Sequence, residues 1–252
     1  MSGSGHRRRF DAPSIADFSV PPRFSNATFE SYRPDAVYPS QPQAREYLRY
    51  AAASLDNGAK KGLLGRLFGG QPEIGWTGLY LDGRFGVGKT HLLAASYHAA
   101  ETTKAYLSFS ELTYAVGALT MPKAVDLFAQ ARLICLDEFE LDDPGNTMLA
   151  TSFVRQVVER GCRLIVTSNT LPGELGRGRF SADDFSREIG ELSSVFESVR
   201  IDGEDYRHRR FTGDSTLPRV VPRSAVAEHA DAIDWPELLR RLATTPPLHY
   251  PD

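Results

Sequence analysis

Residues 83–90 constrain this chain more than any other stretch, because they read Gly-Arg-Phe-Gly-Val-Gly-Lys-Thr. The apolar run 78–82 before them is typical of a buried strand, and residues 91–100 after them have helical composition without a breaker. A strand, a glycine-rich turn and a helix start in this order form a cradle for phosphate, because glycines let successive backbone N–H groups face an anion. The pattern therefore predicts that the chain binds a nucleoside triphosphate.

Two side chains of this loop have separate predicted roles. Lys89 would reach the β- and γ-phosphates, and the Thr90 hydroxyl would bind Mg²⁺. The predicted nucleotide-binding residues are Gly83, Arg84, Phe85, Gly86, Val87, Gly88, Lys89 and Thr90.

A second motif lies downstream, where Asp137 and Glu138 directly follow the apolar run 133–136. Asp137 suits Mg²⁺, and Glu138 can orient and deprotonate the attacking water. The alternative is an ordinary acid pair at a helix N-terminus, which the phosphate loop upstream disfavours. Together the two motifs predict an ATPase that uses ATP and Mg²⁺.

Further candidates follow later strands. Asn169 ends the next strand, where it could hold the lytic water or the γ-phosphate, or serve as an ordinary turn residue. Arg177, Arg179 and Arg187 lie beyond it, and an arginine can stabilise the transferred phosphoryl group from a neighbouring subunit. Arg179 is our first choice for this role, against the alternative of a merely solvated surface arginine.

Apolar strands alternate with helices through the centre of the chain, which favours an α/β fold with a parallel sheet covered on both faces. Ligands of such sheets bind at the carboxyl ends of the strands. We expect strands at 78–82, 104–109, 132–136, 162–167 and 194–201, and helices at 44–55, 110–120 (capped by Ser110), 125–130 and 146–160.

Composition limits the partners and the compartment. The net charge of -3 gives no overall attraction to nucleic acid, so we interpret the basic run 205–210 as a solvated edge rather than a nucleic-acid contact. The two cysteines lie in apolar strands and predict buried reduced thiols, as in a cytosolic protein. No apolar run approaches the ~20 residues of a membrane span. We expect a cytoplasmic protein with peripheral membrane contact at most.

With these residues in place, the chain resembles the ZapE cell-division ATPases, a branch of the AAA+ superfamily. Four stretches carry the resemblance, namely residues 22–41, 78–90, 136–149 and 167–209. The resemblance implies a P-loop ATPase core with a small helical lid, assembly into rings or transient oligomers, and a protein partner in the division machinery. Relatives work in mitochondria on membrane-protein quality control.

Composition, together with the resemblance, divides the chain into four expected segments. Residues 1–20 are expected to form a disordered basic arm, and residues 21–75 an extended stretch, a helix and a Gly-rich segment that is either a loop or an apolar docking element. Residues 76–212 would form the AAA+ ATPase core, and residues 213–252 a lid-like segment. Family members commonly continue further, so we expect an incomplete lid.

One further departure from the family pattern and two rival hypotheses qualify this interpretation. Many family members have a histidine-rich strand and a long insert where this chain reads Tyr-Leu-Ser-Phe at 106–109, so a partner contact made there is not carried over. Residues 88–92 also resemble DnaC- or IstB-like ATPases, which act on a helicase or a transposase. A nucleotide-gated binding module with little turnover is the third alternative, and Glu138 argues against it.

Overall fold

The computed structural model describes residues 14–60, 76–141, 143–170 and 186–205. In this part of the chain one five-stranded parallel sheet is flanked by helices, which confirms the predicted α/β architecture. The strands are β1 (Gly78–Asp82), β2 (Lys104–Ser108), β3 (Leu133–Asp137), β4 (Arg163–Ser168) and β5 (Phe196–Arg200). The α-helices are α1 (Ser40–Lys60), α2 (Lys89–Ala99), α3 (Phe109–Leu119), α4 (Met121–Phe128), α5 (Pro144–Glu159) and α6 (Ser186–Val195).

The order of the strands in space differs from their order in the chain. The sheet runs β2-β3-β4-β1-β5, so β4 lies between β1, which leads into the phosphate loop, and β3, which ends in the acid pair. All five strands point the same way, and their carboxyl ends therefore share one edge of the sheet. This topology brings residues that are far apart in sequence to a single place.

Successive side chains of each strand point to opposite faces, and both faces are buried. Tyr80, Leu107 and Val166 pack on one face with the apolar sides of α3, α4, α5 and α6. Leu79 and Ile165 pack on the other face with α1 and α2. Burial of one such leucine or isoleucine stabilises the fold by about 1.5–3 kcal/mol.

The two cysteines follow the same alternation. Cys135 and Cys162 are free and buried, and they belong to the cores on opposite faces of the sheet. The prediction of buried thiols is therefore confirmed. Among the described residues, no helix is both long enough and apolar enough to cross a membrane.

The segment before the core is ordered further toward the N-terminus than its composition predicts. Phe18 is only 2% exposed and packs edge-to-face on Phe128, with 4.8 Å between ring centroids. The Tyr106 N–H donates to the Phe18 carbonyl oxygen at 2.9 Å, which covers the open edge of β2. The expected disorder is thus wrong for residues 14–20, because Phe18 is buried in one core and Ile15 and Val20 pack against the cores on the two faces of the sheet. Residues 1–13, 61–75 and 206–252, including most of the Gly-rich segment and the lid-like segment, lie outside the described residues.

Several element boundaries also differ from expectation. Helix α1 begins at residue 40 rather than 44, and α6, which no pattern had indicated, occupies the start of the stretch expected to be β5. The cap of α3 is Ser108 and not Ser110. Ser108 accepts a hydrogen bond from the Glu111 N–H at 3.2 Å, and the Glu111 carboxylate accepts one from the Ser108 N–H. This reciprocal pair is a capping box, and it needs the glutamate three residues after the cap.

Replacing Ser108 should therefore destabilise the fold measurably. Ser108→Ala is expected to lower the free energy of unfolding by about 1 kcal/mol, because it removes the acceptor for an unpaired helical N–H. Ser110→Ala is the matched control and should change stability little, since Ser110 is exposed inside the first turn. Urea unfolding of both variants measures the difference. A larger loss in Ser110→Ala would contradict this cap assignment.

Candidate nucleotide-binding and hydrolysis site

The phosphate loop joins the end of β1 to the start of α2. Gly86 and Gly88 adopt left-handed conformations, with φ of +75° and +94°, that other residues rarely tolerate. A Cβ atom on Gly88 would also lie 2.6 Å from the Tyr32 ring. The loop therefore requires glycine at these positions, and it directs the N-terminus of α2, with its unpaired N–H groups, toward the cleft.

A cleft of about 630 Å³ lies over this loop. Its volume is in the range of small-molecule sites. It brings together most of the predicted site residues, with residues 85–90 on one side and Asp137, Glu138 and Asn169 on the other. Gly83 and Arg84 line a neighbouring cavity of about 450 Å³, which Asn169 also lines.

Lys89 is 8% exposed, and its ammonium group has three acceptors within hydrogen-bond distance. Nζ donates to the carbonyl oxygens of Gly83 and Arg84 at 2.6 and 2.9 Å and to Oδ1 of Asn169 at 2.9 Å. Burial lowers the pKa of Lys89 to about 8, and the nearby carboxylates of Asp137, Asp82 and Glu140 oppose that shift. Lys89 is therefore charged at neutral pH and loses its proton at a pH only slightly above neutral.

Thr90 and Asp137 offer oxygen atoms of the kind that Mg²⁺ prefers. The Thr90 hydroxyl donates to Oδ1 of Asp137 at 3.2 Å. A hydroxyl has one proton and two lone pairs, so this donation leaves the oxygen of Thr90 able to bind a cation. The carboxylate and the hydroxyl at the foot of the phosphate loop therefore fit Mg²⁺.

Glu138 lies at a sharp turn that separates it from Asp137. Its φ of +54° is unusual for a residue other than glycine, and its side chain is exposed at the cleft. The Glu138 N–H donates to Oδ1 of Asp137 at 3.2 Å and to Oγ1 of Thr167 at 3.0 Å. These bonds hold a conformation that costs on the order of 1–3 kcal/mol. The two acids therefore face different surroundings, one buried and one open.

Asn169 connects the lysine with a further acid. Its Oδ1 accepts from Lys89, and its Nδ2 donates to Oε1 of Glu140 at 2.7 Å. The two partners fix the orientation of the amide group, because only the oxygen can accept from an ammonium. A strand-end asparagine in contact with the lysine of the phosphate loop favours a role at the γ-phosphate over an ordinary turn role.

The structure gives little information on the three candidate arginines. Arg187 is on α6, where its side chain is 84% exposed and pairs with Glu191 at 3.0 Å. An exposed pair of this kind contributes a few tenths of a kcal/mol. Arg177 and our first choice, Arg179, lie outside the described residues.

The N-terminal segment, residues 22–41, forms a wall of the cleft. In the sequence, only the resemblance to a known family had drawn attention to this segment. The Tyr32 hydroxyl donates to the Val87 carbonyl oxygen at 3.0 Å. Nε2 of His91 lies 3.0 Å from both Oγ of Ser31 and the carbonyl oxygen of Thr28. Phe29 is 3% exposed, so its ring fixes the segment to the core.

Two hydroxyl groups that contact Asp137 were not predicted. The Tyr106 hydroxyl donates to Oδ2 at 3.0 Å, and the Thr167 hydroxyl donates to Oδ1. The Tyr106 contact could have been anticipated, because a tyrosine inside an apolar strand is buried and a buried tyrosine hydroxyl usually has a hydrogen-bond partner. Thr167 carried a weaker signal, as a polar residue close to the end of β4.

Comparison with known proteins shows to which family the chain belongs. The sequence model described as AFG1-like ATPase matches residues 17–245. The chain belongs to the AFG1-like ATPase family. Membership of this family agrees with the expected ATPase class. The resemblance to ZapE is confirmed, because the cell division protein ZapE of Escherichia coli (strain K12) is 32% identical over 165 residues. That match covers 59% of this chain and 44% of ZapE.

A second relative is more distant. Lactation elevated protein 1 homolog B of Danio rerio is 27% identical over 155 residues, which cover 52% of this chain and 31% of the fish protein. The matches therefore span less than half of the length of these curated relatives.

Solved structures share the fold of this chain. The replication initiator DnaA bound to AMPPCP and single-stranded DNA aligns with a TM-score of 0.54 and 16% identity, over 77% of this chain and 56% of that one. DnaI aligns at 0.52 and 19%, over 73% and 93%. The DnaC helicase loader aligns at 0.50 and 22%, over 71% and 99%. These likenesses confirm the predicted fold, a parallel sheet flanked by helices.

The lowered pKa of Lys89 predicts how nucleotide affinity depends on pH. Phosphate oxygens beside Nζ favour the charged form, so binding raises this pKa and takes up a proton once the pH exceeds about 8. ATP affinity should therefore be constant below pH 8 and fall by up to about tenfold per pH unit above it. Titration with a fluorescent ATP analogue on both sides of pH 8 measures this.

The control is Lys89→Arg, because arginine keeps its charge throughout this range. Any affinity that this variant retains should not change above pH 8. An equally steep fall in Lys89→Arg, or a flat profile in the unmodified protein, would contradict a phosphate contact for Lys89.

Proposed function

We propose that this protein hydrolyses ATP to ADP and phosphate and uses the cycle to remodel a protein partner. The observation that carries the proposal is the convergence on one cleft of Lys89, the Thr90–Asp137 pair, Glu138 and Asn169. These groups supply phosphate binding, metal binding and water activation, and an ATPase needs all three.

Binding uses the loop and the two walls of the cleft. The N–H groups of residues 86–90 and the Lys89 ammonium hold the phosphates, while Thr90 and Asp137 hold Mg²⁺. The metal neutralises charge on the phosphate oxygens when it is bound. Phe24 and Tyr32 also line the cleft and offer ring surfaces to the nucleoside end of the ligand.

Hydrolysis then proceeds by attack of water in line with the leaving group. Glu138 takes a proton from the water, whose oxygen forms a bond to the γ-phosphorus as the bond to the β-phosphate oxygen breaks. Asn169 orients the water or the γ-phosphate. Arg179 of a neighbouring subunit stabilises the charge that accumulates on the transferred group, so the protein acts as a homo-oligomer when ATP is bound.

The partner belongs to the division machinery in this proposal. Support comes from the identity of 32% to ZapE, which is named a cell division protein. Two buried free thiols agree with action in the reducing cytoplasm, with membrane contact at most peripheral. We propose no nucleic-acid partner, since the net charge is -3 and the likeness to the DNA-bound initiator rests on 16% identity.

Glu138→Gln separates binding from hydrolysis. The amide cannot accept the proton, so turnover should fall by about 10²–10⁴-fold while ATP affinity stays close to that of the unmodified protein. Phosphate release and equilibrium binding of ATP measure the two effects. Lys89→Ala is the contrasting control and should lose binding as well. If Glu138→Gln hydrolysed ATP as fast as the unmodified protein, Glu138 would not be the general base.

The same pair of variants tests the partner. Glu138→Gln should accumulate with ATP bound and retain proteins of the division machinery during affinity purification from its own cells, whereas Lys89→Ala should not. Equal retention by both variants would contradict coupling to ATP. Turnover stimulated by single-stranded DNA would instead support the helicase- or transposase-associated alternative.

A further inference from the structure

The carboxylate of Asp137 receives hydrogen bonds on both oxygens, although it is only 5% exposed. Oδ1 accepts from the hydroxyls of Thr90 and Thr167 and from the Glu138 N–H. Oδ2 accepts from the Tyr106 hydroxyl at 3.0 Å. A carboxylate held at one oxygen can still rotate about its Cβ–Cγ bond, but one held at both oxygens has a fixed plane.

The sheet explains how Tyr106 reaches this acid. Tyr106 on β2 is in register with Cys135 on β3, so Asp137 is two residues further along β3 on the same face. The side chain must span a diagonal between neighbouring strands, which a long aromatic residue can do. The distance from the backbone of Tyr106 to the carboxylate of Asp137 is therefore one that a tyrosine side chain can span.

The Tyr106 hydroxyl acts as a donor. The residue is 3% exposed, and the Asp137 carboxylate can only accept, so the phenol must supply the proton of this hydrogen bond. Its ring meets Tyr97 at 6.0 Å in an edge-to-face contact that a phenylalanine would preserve. Only the hydroxyl serves the acid, so ring packing and hydrogen bonding can be separated by experiment.

We propose that Tyr106 is a positioning residue for magnesium, which together with Thr167 sets the plane of the Asp137 carboxylate opposite Thr90. Mg²⁺ demands near-ideal octahedral geometry, so it is sensitive to the angle at which a carboxylate or its bound water is presented. Partners of metal ligands typically change metal affinity by about 10–100-fold when removed. This inference rests on the proposed binding of Mg²⁺ and ATP at the cleft.

Tyr106→Phe tests the proposal through binding, without turnover. The probe is a fluorescent, non-hydrolysable ATP analogue titrated first in EDTA and then at increasing Mg²⁺ concentration. In Tyr106→Phe the Mg²⁺ concentration for half-maximal enhancement of binding should rise about tenfold or more, while the affinity in EDTA stays unchanged. Thr167→Val, which removes a hydroxyl from Oδ1, should shift the Mg²⁺ requirement in the same direction.

Tyr97→Phe is the matched control, since it removes a phenol hydroxyl from the same aromatic pair without touching Asp137. It should leave the Mg²⁺ requirement unchanged. A Tyr106→Phe variant that loses thermal stability but keeps the unmodified Mg²⁺ requirement would overturn the proposal. If the unmodified protein binds the analogue equally well with and without Mg²⁺, the proposed function fails at its metal site, which is a different result.

Discussion

The end of β4 joins the two halves of the site, and the remaining geometry depends on that junction. Thr167 bonds Asp137 on one side of the strand end, and Asn169 accepts from Lys89 on the other. Since β4 lies between β1 and β3, its end and the residue that follows it contact both the lysine of the phosphate loop and the first acid of the pair. A shift of β4 along its axis would therefore break the bond between Thr167 and Asp137 and the bond between Asn169 and Lys89.

Burial of opposite charges at this junction is balanced by hydrogen bonds. An ammonium or carboxylate removed from water costs several kcal/mol unless partners replace the lost solvation. Lys89 has three acceptors and Asp137 has donors on both oxygens, so each charge is compensated locally rather than by a direct ion pair. The two groups thus remain available to phosphate and metal, which a tight salt bridge between them would have blocked.

Much of this arrangement could be predicted from the sequence, because local patterns determine it. The phosphate loop, the acid pair and Asn169 each follow an apolar run, and parallel strands place their ends at one edge. The insertion of β4 between β1 and β3 could not be derived in that way, since sheet order depends on packing among helices distant in sequence. The Tyr106–Asp137 contact depends in turn on the register of β2 and β3. Ser108 ends β2 and also caps α3, whereas the sequence suggested Ser110 as the cap, because two serines flank the first residue of the helix.

The N-terminal segment has a mechanical consequence for the core. Tyr32 holds the carbonyl of Val87 in the phosphate loop, and nine residues later Gln41, which is 1% exposed, donates to the carbonyl oxygen of Asp202 just after β5. One short stretch of chain is thus fastened at two points, to the loop that grips phosphate and to the backbone that leaves the sheet. Because the stretch contacts both places, a displacement of the phosphate loop is transmitted through residues 32–41 to the backbone after β5, by a route outside the sheet.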